Sequence, residues 1–135
     1  MGDYDIRDGL RYSAEDEWAR SEAKGVKIGI SDYAQQQLGD VVFVELPEVG
    51  RLLEKGEPLG VIESVKTVAD LYAPISGEVL EINPVLTETP EAVNDDCYGE
   101  GWMLVLSVAD PSEVEGLFDR AGYLHHIKDR EDQST

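Results

Sequence analysis

A chain of 135 residues with 41% hydrophobic side chains can bury one core, which excludes two large domains. Its 29 acidic against 11 basic residues leave a net charge of −18, a balance that repels phosphate backbones, excludes nucleic acid as a partner and favours the basic faces of other proteins. No run approaches the roughly 18 consecutive apolar residues of a membrane-spanning helix, so no membrane partner is expected.

The opening stretch, "MGDYDIRDGLRYSAEDEW", has neither the basic start nor the apolar centre of a signal peptide. A cytoplasmic location is expected, or an organelle lumen if a targeting segment has been removed. The first predicted strand is "VKIGI" at 26–30. Ser31 then caps a helical "DYAQQQL" that stops at Gly39. Strands follow at 41–46, 59–64, 68–73, 77–82 and 102–108, rich in branched and aromatic residues. The turn chemistries "PEVG", "EKGEP", "APISG" and "YGEGW" separate them. Thr89 and Pro90 open a short helix through Val93. Short strands at such regular spacing predict a mainly β barrel or sandwich.

The last predicted helix starts at Asp110 as cap, with Pro111 in its first position and Glu113 three residues after the cap. Val114, Leu117, Phe118 and Ala121 fall on its one apolar face. From Lys128 the sequence "KDREDQST" is too polar to pack, so the domain is expected to span 1–127 and the tail 128–135 to be mobile. His125 and His126 are read as surface residues at the helix end. Neither has the spacing of a metal motif, and no glycine-rich phosphate loop is present, so catalysis by the chain itself is not expected. The single Cys97 cannot close an internal disulfide; it suits a reducing compartment or serves as a small buried apolar side chain.

One lysine stands apart. In "IESVKTVADLYAPISGEV", Lys66 lies between two apolar strand-like segments, at or beside a hairpin tip that points into solvent. On position alone it is an ordinary exposed turn residue. The turn clusters flanking it, with Gly50 before and Gly77 after, give two roughly balanced arms and hint at a two-fold related pair of sheets presenting one loop.

This pattern resembles the lipoyl-carrying domains, and most closely the H protein of the glycine cleavage system. The resemblance runs from about Leu10 to Tyr123, through "GISDYAQQQLGDVVFVELPEVG", "GVIESVKTVADLYAPISGEV" and "YGEGWM". It implies a barrel-sandwich hybrid of two antiparallel sheets with short flanking helices and a C-terminal helix. It further implies lipoic acid attached to Lys66 as N6-lipoyl-lysine, and Glu63, Gly50 and Gly77 as positions that a lipoate ligase or lipoyl/octanoyl transferase needs. Glu17 and Asp70 match positions whose carboxylates hold the loaded, cationic arm.

Acylation removes the charge of a lysine amine and installs a dithiolane on a long flexible stem, so that chemistry belongs to the cofactor and placement to the protein. The resemblance thus implies a non-catalytic shuttle between glycine decarboxylase, a folate-dependent aminomethyltransferase and dihydrolipoyl dehydrogenase. Two residues depart from the family pattern: Asp16 replaces the histidine of "EHEW", and Cys97 stands where a proline is common. H-like lipoate-binding proteins also serve heterodisulfide-reductase-like sulfur oxidation systems, which leaves a carrier of sulfur or electrons as the alternative. Biotin acceptors present Met-Lys-Met where this chain has Val65-Lys66-Thr67, and an unmodified adaptor would have no use for an intact Glu63 and Lys66.

Overall fold

Nine strands, each antiparallel to its neighbours, form the frame of the computed structural model, which describes residues 3–133. In chain order they are β1 (Arg11–Tyr12), β2 (Glu17–Ser21), β3 (Val26–Ile30), β4 (Val41–Glu45), β5 (Leu52–Leu53), β6 (Pro58–Ser64), β7 (Val68–Tyr72), β8 (Gly77–Ile82) and β9 (Leu104–Leu106). Six of them make a sheet in the order β1-β2-β3-β9-β8-β5, and three make a second in the order β4-β6-β7. The protein is therefore mainly β with two antiparallel sheets, as the sequence implied. The sheets are unequal in size, so the balance of sequence about Lys66 does not extend to the whole fold.

Alternation places the core. Ile28, Val79, Leu104 and Leu106 of the larger sheet pack in one buried cluster with Val44, Ile62 and Leu71 of the smaller. A second cluster gathers Tyr12, Trp18, Tyr98 and Tyr123 with Cys97 and Ile127. Trp18 is fully buried and donates its indole N–H to the Cys97 carbonyl at 2.9 Å. Gly29 leaves it room, since a Cβ there would lie 2.7 Å from the indole ring.

The helices are accessories: α1 (Asp32–Leu38), α2 (Val85–Glu88), α3 (Ala92–Asp95), α4 (Pro111–Glu115) and α5 (Arg120–Gln133). Ser31 caps α1 through the Ala34 N–H, and Gly39 ends it with φ +79°. Pro90 lies between α2 and α3, and Thr89 closes α2 instead of opening the next helix.

The C-terminal helix departs from the sequence reading. Asp110 does cap α4, but that helix ends after Glu115 at Gly116. The chain then turns to offer Phe118 to the edge of β1. Tyr12 and Phe118 exchange two backbone hydrogen bonds of 2.8 Å, and Ala121 of the expected apolar stripe is exposed. A free sheet edge satisfied two peptide groups that a continuous helix would have kept for itself. Asp119 restarts the chain as α5, accepting the Gly122 N–H at 2.8 Å. This helix continues past Lys128 to Gln133, so residues 128–133 of the expected mobile tail 128–135 are helical, and the last two lie outside the described residues. Polar residues pack here because they have partners: Arg130 reaches Asp16 at 2.6 Å and lies over the Tyr33 ring. His125 and His126 fall inside α5, not at a helix end, and His126 stacks on Phe118 with Nε2 3.1 Å from the Ala14 carbonyl.

Candidate functional site

Strands β6 and β7 form a hairpin finger in register from Gly60↔Leu71 to Glu63↔Val68, with an irregularity between Pro58 and Gly60 at its base, and Lys66 stands exposed at its tip. Ser64 builds the turn. Its N–H donates to the Thr67 carbonyl at 2.8 Å, and its hydroxyl accepts the N–H groups of Lys66 and Thr67. A hydroxyl at this position offers the backbone of a tight turn the partners that solvent would otherwise supply. The Val65 N–H donates to the Asp40 carbonyl at 3.0 Å, tying the tip to the loop after α1. In that loop, a Cβ on Gly39 would come within 3.5 Å of Lys66 Cε, so the lysine stem runs beside the glycine.

Asn94 of α3 completes the support. Its amide donates to the Gly39 carbonyl and to Gln35 Oε1, and its Oδ1 accepts the Val41 N–H at 2.8 Å. The sequence reading missed both Ser64 and Asn94. Ser64, two residues before the lysine, carried a recognisable serine-turn signal; Asn94 carried none, since its partners lie more than fifty residues away.

The expected site residues separate into three places. Glu63 faces solvent on the finger itself. Gly50 and Gly77 belong instead to the larger sheet, where Gly77 pairs with Leu53 and the Gly50 N–H donates to the Val79 carbonyl. Each has a geometric requirement of its own: Gly50 has φ +96°, and a Cβ on Gly77 would lie 1.8 Å from the Ser107 carbonyl oxygen.

Glu17 and Asp70 meet at the third place, a cavity of about 170 Å³ that Ile62, Leu38 and Leu71 also line. Asp70 is exposed and Glu17 is 2% exposed. Ser13 Oγ donates to Glu17 Oε1 and the Tyr72 N–H to Oε2, but burial outweighs both bonds and pushes the carboxyl up to about 8. At neutral pH this group is mostly a neutral acid. Asp16 beside it adopts φ +77°, held by Tyr123 Oη at 2.8 Å and by both Arg130 Nη atoms. Cys97 is buried, and its thiol is pushed up to about 12 by that burial, so it stays protonated.

Among the described residues, no three His, Cys, Asp or Glu side chains are placed to hold a metal ion, and no helix is long and apolar enough to cross a membrane. An exposed amine on a buttressed turn suits covalent attachment of an acyl group, and the small cavity suits an apolar stem that ends in a cation.

Residues 10–130 match the family model described as "Glycine cleavage H-protein". The chain is 50% identical over 127 residues to the glycine cleavage system H protein of Anaeromyxobacter sp. (strain K), covering 94% of this chain and 99% of that one. It is 56% identical over 114 residues to the H protein of Symbiobacterium thermophilum, covering 84% and 89%. The crystal structure of a glycine cleavage system H protein from Mycobacterium marinum superposes with a TM-score of 0.82 at 36% identity, over 91% of this chain and 99% of that chain.

Proposed function

Because this chain belongs to the glycine cleavage H-protein family, we propose that it is a non-catalytic carrier whose Lys66 amine is acylated by lipoic acid. The observation that carries this reading is the exposed lysine at a finger tip fixed by Ser64 and Asp40. When bound, the lipoyl group supplies a disulfide that accepts the aminomethyl group of glycine and is later reoxidised from its dithiol. The chain's own contribution is position. A tethered arm reaches each docked catalyst at an effective concentration in the millimolar range.

Glu17 and Asp70 are the residues we assign to holding the arm's cationic end. A neutral Glu17 seals the cavity at low desolvation cost. A cation entering beside it lowers the carboxyl's proton affinity, and the acid becomes the counter-ion. Glu63 is assigned to recognition by the lipoate ligase or lipoyl/octanoyl transferase, being exposed three residues before the lysine. For Gly50 and Gly77 the same role is supported by the family resemblance, beside the geometric requirement each meets.

The partners assigned are glycine decarboxylase, an aminomethyltransferase and dihydrolipoyl dehydrogenase, in the cytoplasm. The relatives reported above are glycine cleavage H proteins, which favours this reading over the sulfur-carrying one. Intact mass after expression with lipoate tests it: a lipoyl adduct on the wild type and none on Lys66→Arg are expected, and an adduct on the variant overturns the site. The lipoylated chain offered to glycine decarboxylase with labelled bicarbonate should support exchange of the glycine carboxyl. No exchange, with turnover by a sulfur-transferring partner instead, would return the alternative.

A further inference from the structure

The outer face of the three-stranded sheet carries a pattern that folding does not need. Phe43, Glu63 and Val68 lie side by side across its three strands, and one rung further from the tip lie Glu45, Val61 and Asp70. Residues two apart share a face, so these six side chains form a checkerboard in which every acid is flanked by apolar neighbours. Phe43 is 49% exposed and Val68 62%. Among the described residues, none of the three carboxylates makes a side-chain hydrogen bond or ion pair, and no basic residue stands on the two rungs.

A merely solvated face would be polar throughout, and exposed phenylalanine and valine on a sheet with two open edges invite association. The interleaved acids decide with what. A second copy would set acid against acid, whereas a surface with apolar contacts and basic side chains between them is complementary at every square.

We propose that this face is the seat of the enzyme that acylates Lys66, and that its docking surface is apolar with interspersed lysine or arginine. The proposal rests on the lipoyl-carrier reading. It commits to the acylating enzyme because that catalyst must reach the lysine nitrogen itself, two residues from Val68 and three from Glu63, and so has to cover the finger's flanks. An enzyme acting at the far end of a long arm has no such constraint.

Initial rates with a purified ATP-dependent lipoate ligase, lipoate and the unmodified full chain test this. For Glu45→Lys/Asp70→Lys, kcat/KM should fall at least about tenfold, mainly through KM. The double variant Glu100→Lys/Glu115→Lys has the same net charge but lies outside the face; it should stay within about twofold of wild type. Phe43→Ser/Val68→Ser keeps the charge and should lose about fivefold or more, with circular dichroism reporting its fold. Once lipoylated to completion, the Phe43→Ser/Val68→Ser chain and the Glu100→Lys/Glu115→Lys chain should be reduced by dihydrolipoyl dehydrogenase within about twofold of wild type. Face variants acylated like the control pair overturn the proposal, as does an equal loss with the dehydrogenase. Failure of the wild type to accept lipoate at Lys66 would instead overturn the carrier reading beneath it.

Discussion

Glu17 and Ser13 hold each other in a closed ring: the Glu17 N–H donates to Ser13 Oγ at 3.0 Å, and the same hydroxyl donates back to Glu17 Oε1. Both residues are buried, and no ion pair among the described residues includes the carboxyl. Two neutral donors do not repay the hydration that a carboxylate surrenders at this depth.

Stability should therefore depend on pH through this group. Its folded value, about 8, lies above the ordinary 4.5. Below the ordinary value both states keep the proton. Between the two, the unfolded chain releases it while the fold retains it, so stability falls as pH rises through this window and then levels. Glu17→Gln should remove that slope, matching wild type near pH 4 and exceeding it by about 3–5 kcal/mol near pH 8.5. Urea denaturation at both pH values measures it; a difference independent of pH would refute the assignment.

Ser64→Ala should loosen the finger tip. The substitution strands the N–H groups of Lys66 and Thr67, at a cost of about 1–2 kcal/mol, while the strands below keep their register. Amide exchange at 66 and 67 should accelerate with little change at Ile62 and Ala69. Unchanged protection at the tip would mean that Asp40 alone holds it.

The two glycines should behave differently. Gly77→Ala drives a Cβ into the Ser107 backbone and should unfold the protein or cost more than about 3 kcal/mol. Gly50→Ala meets no atom within 4 Å and suffers only from its φ of +96°, a cost of about 1–2 kcal/mol. Thermal melts separate the pair. If Gly50→Ala folds and still takes lipoate at the wild-type rate, Gly50 is a turn residue and not a recognition element.

Arg130→Met should destabilise by about 1–3 kcal/mol, because it removes both guanidinium donors and leaves Tyr123 Oη alone to steady Asp16 at its unfavourable φ. Arg130→Lys should restore only part, since an ammonium cannot engage both carboxylate oxygens as the guanidinium fork does. Chemical denaturation of the three proteins checks the order; a lysine variant equal to wild type would leave simple charge as the explanation.

The strands around Lys66 were legible because local signals and tertiary demands agree there: branched residues alternate, and Gly or Pro closes each segment. The C-terminal region was not, because Gly116 and Phe118 answer to the open edge of β1, more than a hundred residues away in sequence. The continuation through Gln133 was equally hidden. Of α5, only Tyr123 and Ile127 are buried, so its apolar signal is one turn long, and the Asp16–Arg130 pair anchors the rest from a distance. At the candidate site, the hairpin pattern singled out Lys66, and the family resemblance paired Glu17 with Asp70. Their grouping into finger and cavity, and the support from Asn94, arise only when β4, β6 and α3 come together.

The backbone bridge between Tyr12 and Phe118 also bears on how the larger sheet meets other copies of the chain. It occupies the outermost rung of the larger sheet, while the opposite border, β5, is only two residues long. Neither margin of this sheet offers a stranger's strand a lengthy row of vacant peptide groups, so templated zipping into fibrils would have to begin at β4 or β7 of the smaller sheet.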